Sequence, residues 1–499
     1  MQPQSPTCHS THTYFHPCTA EGQVWDGTSR HSTLDGYLWG DHTWISWRQK
    51  NFTLNRPINI YEVHLGSWRR GEGGKFLTYQ ETARWLIPYV KEMGYTHVEF
   101  PPVIEYSQGD PQGYRCTGAF ARTGPFGTPH DFMYLVNELH KAGIGVLLDW
   151  ACAHRAQDLR LSSALFWLEY FHMDGLRVVG LDSLLRPDGQ QEDPQAIKLL
   201  QNMNETISKL YPGVLMIADS SCPRPGVTLP VQEGGLGFHL MWDPDRLQNL
   251  YRFVKPSAPL PEASLLPLSH QEVTHGKGSL LNKMPGNDAE KFAAVRAFHT
   301  YMLAHPGKKL TMMGCEFGQW QEWNFEHSLD WHLPEGYKSH RQLQAFFRAA
   351  NTLYLEQPAL WQLDFTPEGF RLLQPGTPGN TPITFCRADK QGQELLVAVN
   401  FSPMFLRGYR IGVARAGWYE EVFNTDRVEF GGEGRLNPPI KSESISCCNF
   451  AQSVQIDIPP MGAVILTCPR ISPPQKHMPK PTAENAEQCS PNHEKQVKE

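Results

Sequence analysis

No stretch of this chain approaches the roughly 18 consecutive apolar residues that a membrane-spanning helix needs. The opening residues, MQPQSPTCHS, lack both a basic and an apolar segment, so no secretory signal is legible there. Charge of one sign is scarce as well. A formal net charge of −6 over 499 residues argues against nucleic acid or an anionic membrane as partner. The 11 cysteines are scattered, with no C-x-x-C pair and no metal-ligand spacing. An odd, dispersed set reads as reduced thiols in a cytoplasmic protein rather than as a disulfide framework. No Gly-rich loop of the dinucleotide-binding kind opens a first helix, and no cofactor or metal is expected.

What the chain does have is aromatic and apolar mass in a soluble balance. Hydrophobic residues make up 40% and charged ones 19%, as in globular proteins, and the length suggests two or three domains. Aromatics reach 11%, with 14 Trp, which suits either sugar-stacking surfaces or large aromatic cores.

Residues 1–56 read as a tail followed by a short irregular lead-in holding Trp25, Tyr37, Trp39, Trp44 and Trp47. From Pro57 short apolar strands alternate with helical stretches. Strands are predicted at Ile58–His64, His97–Phe100, Ile144–Trp150, Gly175–Val178 and Val214–Ala218, then near Gly237–Met241, Leu265–Leu268 and Lys309–Met312. Helices are predicted at Tyr79–Met93, Asp131–Ala142, Ser162–His172 and Ala196–Leu210, with Gly143 as a C-terminal stop. Continuous apolar strands separated by helices imply a buried parallel sheet. Eight such units imply a (β/α)8 TIM barrel over residues 57–370, its site at the C-terminal ends of the strands. A doubly wound sheet is the rival. Over 371–468 segments such as ELLVAVNFS and VQIDIPPMGAVILTC alternate with period two, which predicts a C-terminal antiparallel β-sandwich. Residues 469–499, rich in Pro, Lys, Glu and Asn, read as a disordered tail.

Nine segments together closely resemble the bacterial glycogen branching enzymes (1,4-alpha-glucan branching enzymes) of glycoside hydrolase family 13. They are NIYEVHLGSW (59–68), GYTHVE (94–99), FGTPHDF (126–132), AGIGVLLDW (142–150), ALFWLEYFHMDGLRV (164–178), EGGLGF (233–238), LPLSHQEVTHGKGSLLNKMPG (266–286), HPGKKLTMMGCEFGQW (305–320) and SLDWHL (328–333). They run in the family's order. The resemblance implies a barrel enzyme of glycogen biosynthesis that cleaves an α-1,4 glucan and rejoins it through an α-1,6 bond.

Such retaining chemistry needs two carboxyls about 5 Å apart, one a nucleophile and one an acid/base. A third carboxylate in this family grips sugar hydroxyls. The resemblance places the nucleophile at Val179, the acid/base Glu at Asp219 and the third acid at Gln271. Val179 offers no atom for a glycosyl intermediate. Asp219 keeps a charge on a shorter arm, and Gln271 has none. The resemblance also implies sugar-binding roles for Tyr114, Asp149, His154, Arg177 and His270. Tyr114 is followed by Arg115 where the family has Gln. With valine at 179, Arg177 must find its anion in Asp149 or Asp219, since an unpaired buried guanidinium is costly. Tyr114, Trp150, Trp320 and Trp323 are candidate stacking platforms, each with core packing as its other reading.

Two more departures bear on the groove. The family carries several dozen residues after the position of His154, whereas here RAQDLRL (155–161) leads almost directly into the next helix. Only a remnant of the family's N-terminal carbohydrate-binding module is expected, around GYLWGDHTWISW. Asp182 is the one new carboxylate near Val179. Glu272, on an extended strand, would face away from Gln271. The expectation is a catalytically silent barrel that binds α-glucan, such as glycogen or amylose chains, and works beside a catalytic paralogue or other glycogen enzymes. The alternative is an active transferase or hydrolase with a rearranged site that uses Asp219 and Asp182.

Overall fold

The computed structural model describes residues 19–23, 29–106, 112–151, 157–187, 189–219, 224–245, 247, 262–376 and 381–468. His154, most of the first 20 residues and the tail from 469 lie outside them.

Eight strands close a barrel: β1 (Asn59–Glu62), β2 (His97–Phe100), β3 (Gly145–Trp150), β4 (Gly175–Val178), β5 (Leu215–Asp219), β6 (Leu240–Trp242), β7 (Ser264–Leu268) and β8 (Lys308–Met312). Each pairs in parallel with the next, and β8 returns to β1. The doubly wound alternative is therefore excluded. The predicted strand near Gly237–Met241 sits slightly later, at Leu240–Trp242.

Period two sorts the side chains. One set fills the barrel axis with Ile60, Leu147, Leu215, Ile217, Leu240, Trp242, Leu265 and Leu310. The alternate set, including Tyr61, Val98, Val146, Leu148, Leu176, Val178 and Met216, packs outward against the helices. Fully burying such a side chain is worth roughly 1.5–3 kcal/mol. Gly175 belongs to the axial set and has to be glycine. A Cβ there would stand 2.6 Å from the Leu215 carbonyl oxygen and 2.7 Å from Leu147 Cδ2.

The helices begin where capping residues allow. Thr78 and Thr128 close capping boxes with Glu81 and Asp131. In the lead-in, the irregular reading of residues 21–56 is corrected: α1 (His42–Asn51) is a helix. Its moment is weak, because it contributes single anchors rather than an apolar stripe. Trp44 Nε1 donates to Asp174 at 2.8 Å and Arg48 Nη1 at 2.7 Å, so α1 is pinned to the barrel's N-terminal end. The other long helices are α2 (Tyr79–Glu92), α3 (Pro129–Lys141), α4 (Gln157–Tyr170), α5 (Pro194–Leu210), α6 (Asp288–Ala304) and α7 (Lys338–Glu356). β3 ends at Trp150 and α4 begins at Gln157, a short connection on the site face.

The C-terminal part is an antiparallel β-sandwich. Its strands are β9 (Phe370–Gln374), β10 (Ile383–Ala388), β11 (Glu394–Asn400), β12 (Leu406–Val413), β13 (Trp418–Asn424), β14 (Ile440–Lys441), β15 (Gln452–Ile458) and β16 (Gly462–Thr467). One sheet runs β9-β10-β11-β16-β13-β14, and β12 pairs with β15. On β11 and β16 the odd-numbered Leu395, Val397, Val399, Ala463 and Ile465 join the core shared with the barrel helices. The even-numbered Leu396, Ala398, Val464 and Leu466 meet Ile411, Val413, Val454 and Ile456 inside the sandwich.

Candidate functional site

The axial series ends in charge. Glu62, Glu99, Asp149, Arg177 and Asp219 each stand at or near the C-terminal end of β1 to β5, two residues beyond an inward position. The first four are fully buried and Asp219 is half-buried. Arg177 lies at the centre. Its Nε donates to Asp149 Oδ1 at 2.6 Å and its Nη2 to Asp149 Oδ2, a bidentate fork. Nη1 donates to Asp219 Oδ2 at 2.9 Å, and Nη2 also reaches the Tyr114 hydroxyl at 3.1 Å. The guanidinium carbon sits 4.0 Å from the centre of the Trp242 ring. Burial works against this cation, but Asp149, Tyr114 and Asp219 outweigh it and hold its pKa well above the ordinary arginine value.

A second chain of contacts runs across the mouth. Tyr114 donates its hydroxyl to Asp149 Oδ2 at 2.7 Å, and that oxygen lies 3.2 Å from His270 Nε2. The two rings stack at 5.4 Å. His270 donates its backbone N–H to Glu62 Oε2 at 2.9 Å, and its Nδ1 lies 2.5 Å from Oε1. Burial and then the adjacent Asp149 push Glu99 well above the ordinary carboxyl value, so it keeps its proton. Burial also raises Asp219, with Arg177 pulling the other way.

Of the predicted positions, Tyr114, Asp149, Arg177, Asp219 and His270 form this one connected network. Val179 follows Arg177 in the axial alternation, and its amide continues the ladder to the Trp150 carbonyl at 3.3 Å. Gly180, with φ of 74°, then turns the chain into the short helix Leu181–Leu185. Asp182 opens that helix, half-buried, close enough to Asp219 to disfavour its charge. Gln271 is half-buried and takes Lys277 Nζ on its backbone oxygen at 2.7 Å. Residues His270–Glu272 form a 3-10 turn rather than an extended strand, which corrects the alternation argument made for Glu272. His154 falls outside the described residues.

Two of the candidate platforms are core residues. Trp150 and Trp323 are buried and donate to Ser163 and Ser67 at 3.1 and 2.9 Å. Trp320 is half-buried.

Sequence reasoning passed over Glu62 and Glu99. Their signal was a lone carboxylate at the end of an otherwise apolar strand, in NIYEVH and THVEF. Oxygens of Glu62, Glu99 and Asp149 lie within 4.8 Å of one another, a ligand set for a cation in principle. Arg177 and His270 already occupy Asp149 and Glu62. A cavity of about 750 Å³ opens at the opposite end of the barrel beside α1, lined by Trp44, Trp47, Arg48 and Arg56 among others.

Among the described residues, no helix is long and apolar enough to cross a membrane. The alpha amylase C-terminal all-beta domain family matches residues 377–469. Among solved structures, a putative alpha amylase from Salmonella typhimurium superposes with a TM-score of 0.63 at 16% identity, covering 89% of this chain and 86% of that one. The alpha-amylase from Geobacillus thermoleovorans, complexed with acarbose, superposes at 0.60 and 13% identity, covering 85% and 100%. These likenesses show the fold. The relatives show more. A 1,4-alpha-glucan branching enzyme GlgB from Desulfitobacterium hafniense is 38% identical over 87% of this chain and 79% of its own length. The GlgB of Aquifex aeolicus is 39% identical over 86% and 79%. On that similarity, sustained through barrel and sandwich alike, the chain belongs to the 1,4-alpha-glucan branching enzyme family of glycoside hydrolase family 13.

Proposed function

We propose that this member of the branching enzyme family recognises α-glucan chains without cutting or rejoining them. The observation that carries the reading is the pairing of Val179 with the engagement of Arg177. Retaining transfer begins with attack on the sugar's anomeric carbon by a carboxylate, and the position that follows Arg177 in the axial series holds an alkyl group. The guanidinium that would orient such a carboxylate is saturated by Asp149 and Asp219. Asp219 is thereby drawn toward the barrel axis on an arm one methylene shorter than Glu, which takes it out of reach of a leaving-group oxygen. Gln271 supplies hydrogen bonds and no charge.

Recognition needs none of the missing groups. The stacked Tyr114 and His270 rings offer an aromatic face at the barrel mouth, and Asp149 and Glu62 fix them in place. The rearranged-site alternative rests on Asp182 standing near Asp219. It is disfavoured because Asp219 is already committed to Arg177. Acting on soluble chains in the cytoplasm, beside a catalytic paralogue, the protein would hold glucan for enzymes that do the chemistry.

The test pairs two measurements on the purified chain: amylose branching by loss of iodine colour, and glycogen binding by co-sedimentation. Binding with no branching is expected. Formation of α-1,6 linkages above a blank would overturn the reading of Val179. Absence of both would remove glucan as the ligand.

A further inference from the structure

Far from the barrel mouth in the fold, three ligand-bearing side chains converge in the C-terminal sandwich. Cys386 lies on β10, Glu394 opens β11, and Cys468 follows β16. The register makes them neighbours on one face. Cys386 stands opposite Leu396 and Ala388 opposite Glu394. Leu395 stands opposite Thr467, and the Cys468 amide donates to the Glu394 carbonyl at 3.0 Å. Positions 394 and 396 point to the same side, so both cysteines lean over β11 from its two flanks. Their sulfurs and a Glu394 carboxylate oxygen lie within 4.8 Å of one another, and all three residues are buried.

The arrangement suits an ion better than a disulfide. Strands sit about 4.8 Å apart, so the backbones carrying the two cysteines are separated by about 9–10 Å, whereas a disulfide needs Cα atoms within about 7 Å. A metal bonded at about 2.3 Å to each of two thiolates holds the sulfurs roughly 3.8 Å apart, which small side-chain rotations reach here. The carboxylate is already supported from behind. Arg371 Nη2 donates to both Glu394 oxygens at 3.0 Å, and Arg415 lies 3.4 Å away. Hydrogen bonds of this kind fix the orientation of a metal-binding carboxylate. The two guanidiniums together with a divalent ion also offset the three negative charges that two thiolates and a carboxylate bring. Sulfur ligands select a thiophilic ion over magnesium or calcium.

We propose that Cys386, Glu394 and Cys468 form a binding site for a thiophilic divalent cation such as zinc, which ties β10, β11 and the end of β16 together. Each thiol releases its proton on binding, so occupancy rises with pH. The spacing of these residues, 82 positions from first to last, hides the site from any local motif.

The test uses the full chain stripped of metal by a chelator. Titration with Co²⁺ is expected to produce a thiolate-to-metal charge-transfer band that saturates at one equivalent, and Zn²⁺ is expected to abolish it by displacement. Cys386→Ser and Cys468→Ser should each lose the band while keeping the wild-type circular dichroism. The double variant Cys447→Ser/Cys448→Ser, altering an adjacent pair elsewhere in the sandwich, should keep it. X-ray absorption on the wild-type zinc complex guards against misfolded variants and should count two sulfur ligands. No band at one equivalent, a band that survives Cys386→Ser or Cys468→Ser, or fewer than two sulfurs in the wild-type complex would each overturn the proposal.

Discussion

Arg177 reaches Asp219 across 2.9 Å while its other edge is held by Asp149. The relationship explains how the barrel tolerates valine at 179. A buried cation deprived of one carboxylate is stable only if others replace it, and here the neighbouring strand ends on both sides do so. The cost falls on chemistry rather than on folding. Arg177→Ala should therefore be a stability variant. It leaves Asp149 and Asp219 facing each other without a cation, at an expected loss of about 3–5 kcal/mol. Urea unfolding checks it, and a loss below about 1 kcal/mol would mean that the network relaxes around the gap.

Restoring the nucleophile alone is expected to fail. Val179→Asp adds a carboxylate beside Arg177, yet Asp219 still falls one methylene short and Gln271 still lacks charge. Since a general acid acts only within hydrogen-bond reach, iodine-monitored branching by this single variant should stay at the blank. Activity from it would show that Asp219 reaches the leaving group after all. The variant that adds Asp219→Glu and Gln271→Asp is the informative comparison.

Glucan binding should depend on the Tyr114 ring more than on its hydroxyl. The ring stacks on His270 at 5.4 Å, while the hydroxyl is turned inward to Asp149. Tyr114→Ala should weaken glycogen co-sedimentation about tenfold, which corresponds to about 1.4 kcal/mol. Tyr114→Phe should lose much less. Equal losses in the two variants would assign the binding to the polar network instead.

How far the sequence speaks differs between fold and site. The barrel was legible because its strands are short apolar runs whose partners all lie in one sheet. Gly175–Val178 was placed to the residue, and Thr78 and Thr128 announced their helices through side chains three residues on. Helix α1 was missed because it carries no apolar period. It is held by Trp44 and Arg48 reaching Asp174, a contact 130 residues away that only the closed barrel creates. Glu62 and Glu99 were missed for a similar reason. A carboxylate in a strand has meaning only once the strand's C-terminal end is known to face four others. The cysteine cluster is the extreme case, since sheet register alone brings Cys386 and Cys468 together.

The barrel's opposite end should set how stability depends on pH. His140 is clamped between two carboxylates, with Nδ1 at 2.8 Å from Asp41 and Nε2 at 2.8 Å from Asp174. Burial opposes its charge, but Asp174 and Asp41 prevail and raise its pKa above the ordinary 6.5. A proton bound more tightly in the folded state stabilises it below the unfolded value, and that gain disappears as pH rises through the folded one. Asp174 and Asp41 are shifted the other way. Although burial opposes them too, His140 and its neighbours hold both well below the ordinary 3.8. Their contribution is complete above that value and lost only as pH falls beneath it. His97, pushed down to about 4 by burial beside the same cluster, adds to the acid limb, because it must be charged as pH drops from 6.5. The melting temperature of the wild-type chain should therefore fall as pH rises beyond 6.5. In His140→Gln, which keeps hydrogen bonds but cannot titrate, that alkaline limb should flatten while the acid limb remains. Scanning calorimetry between about pH 5 and about pH 9 makes the comparison. Parallel alkaline slopes in the two proteins would place the titrating group elsewhere.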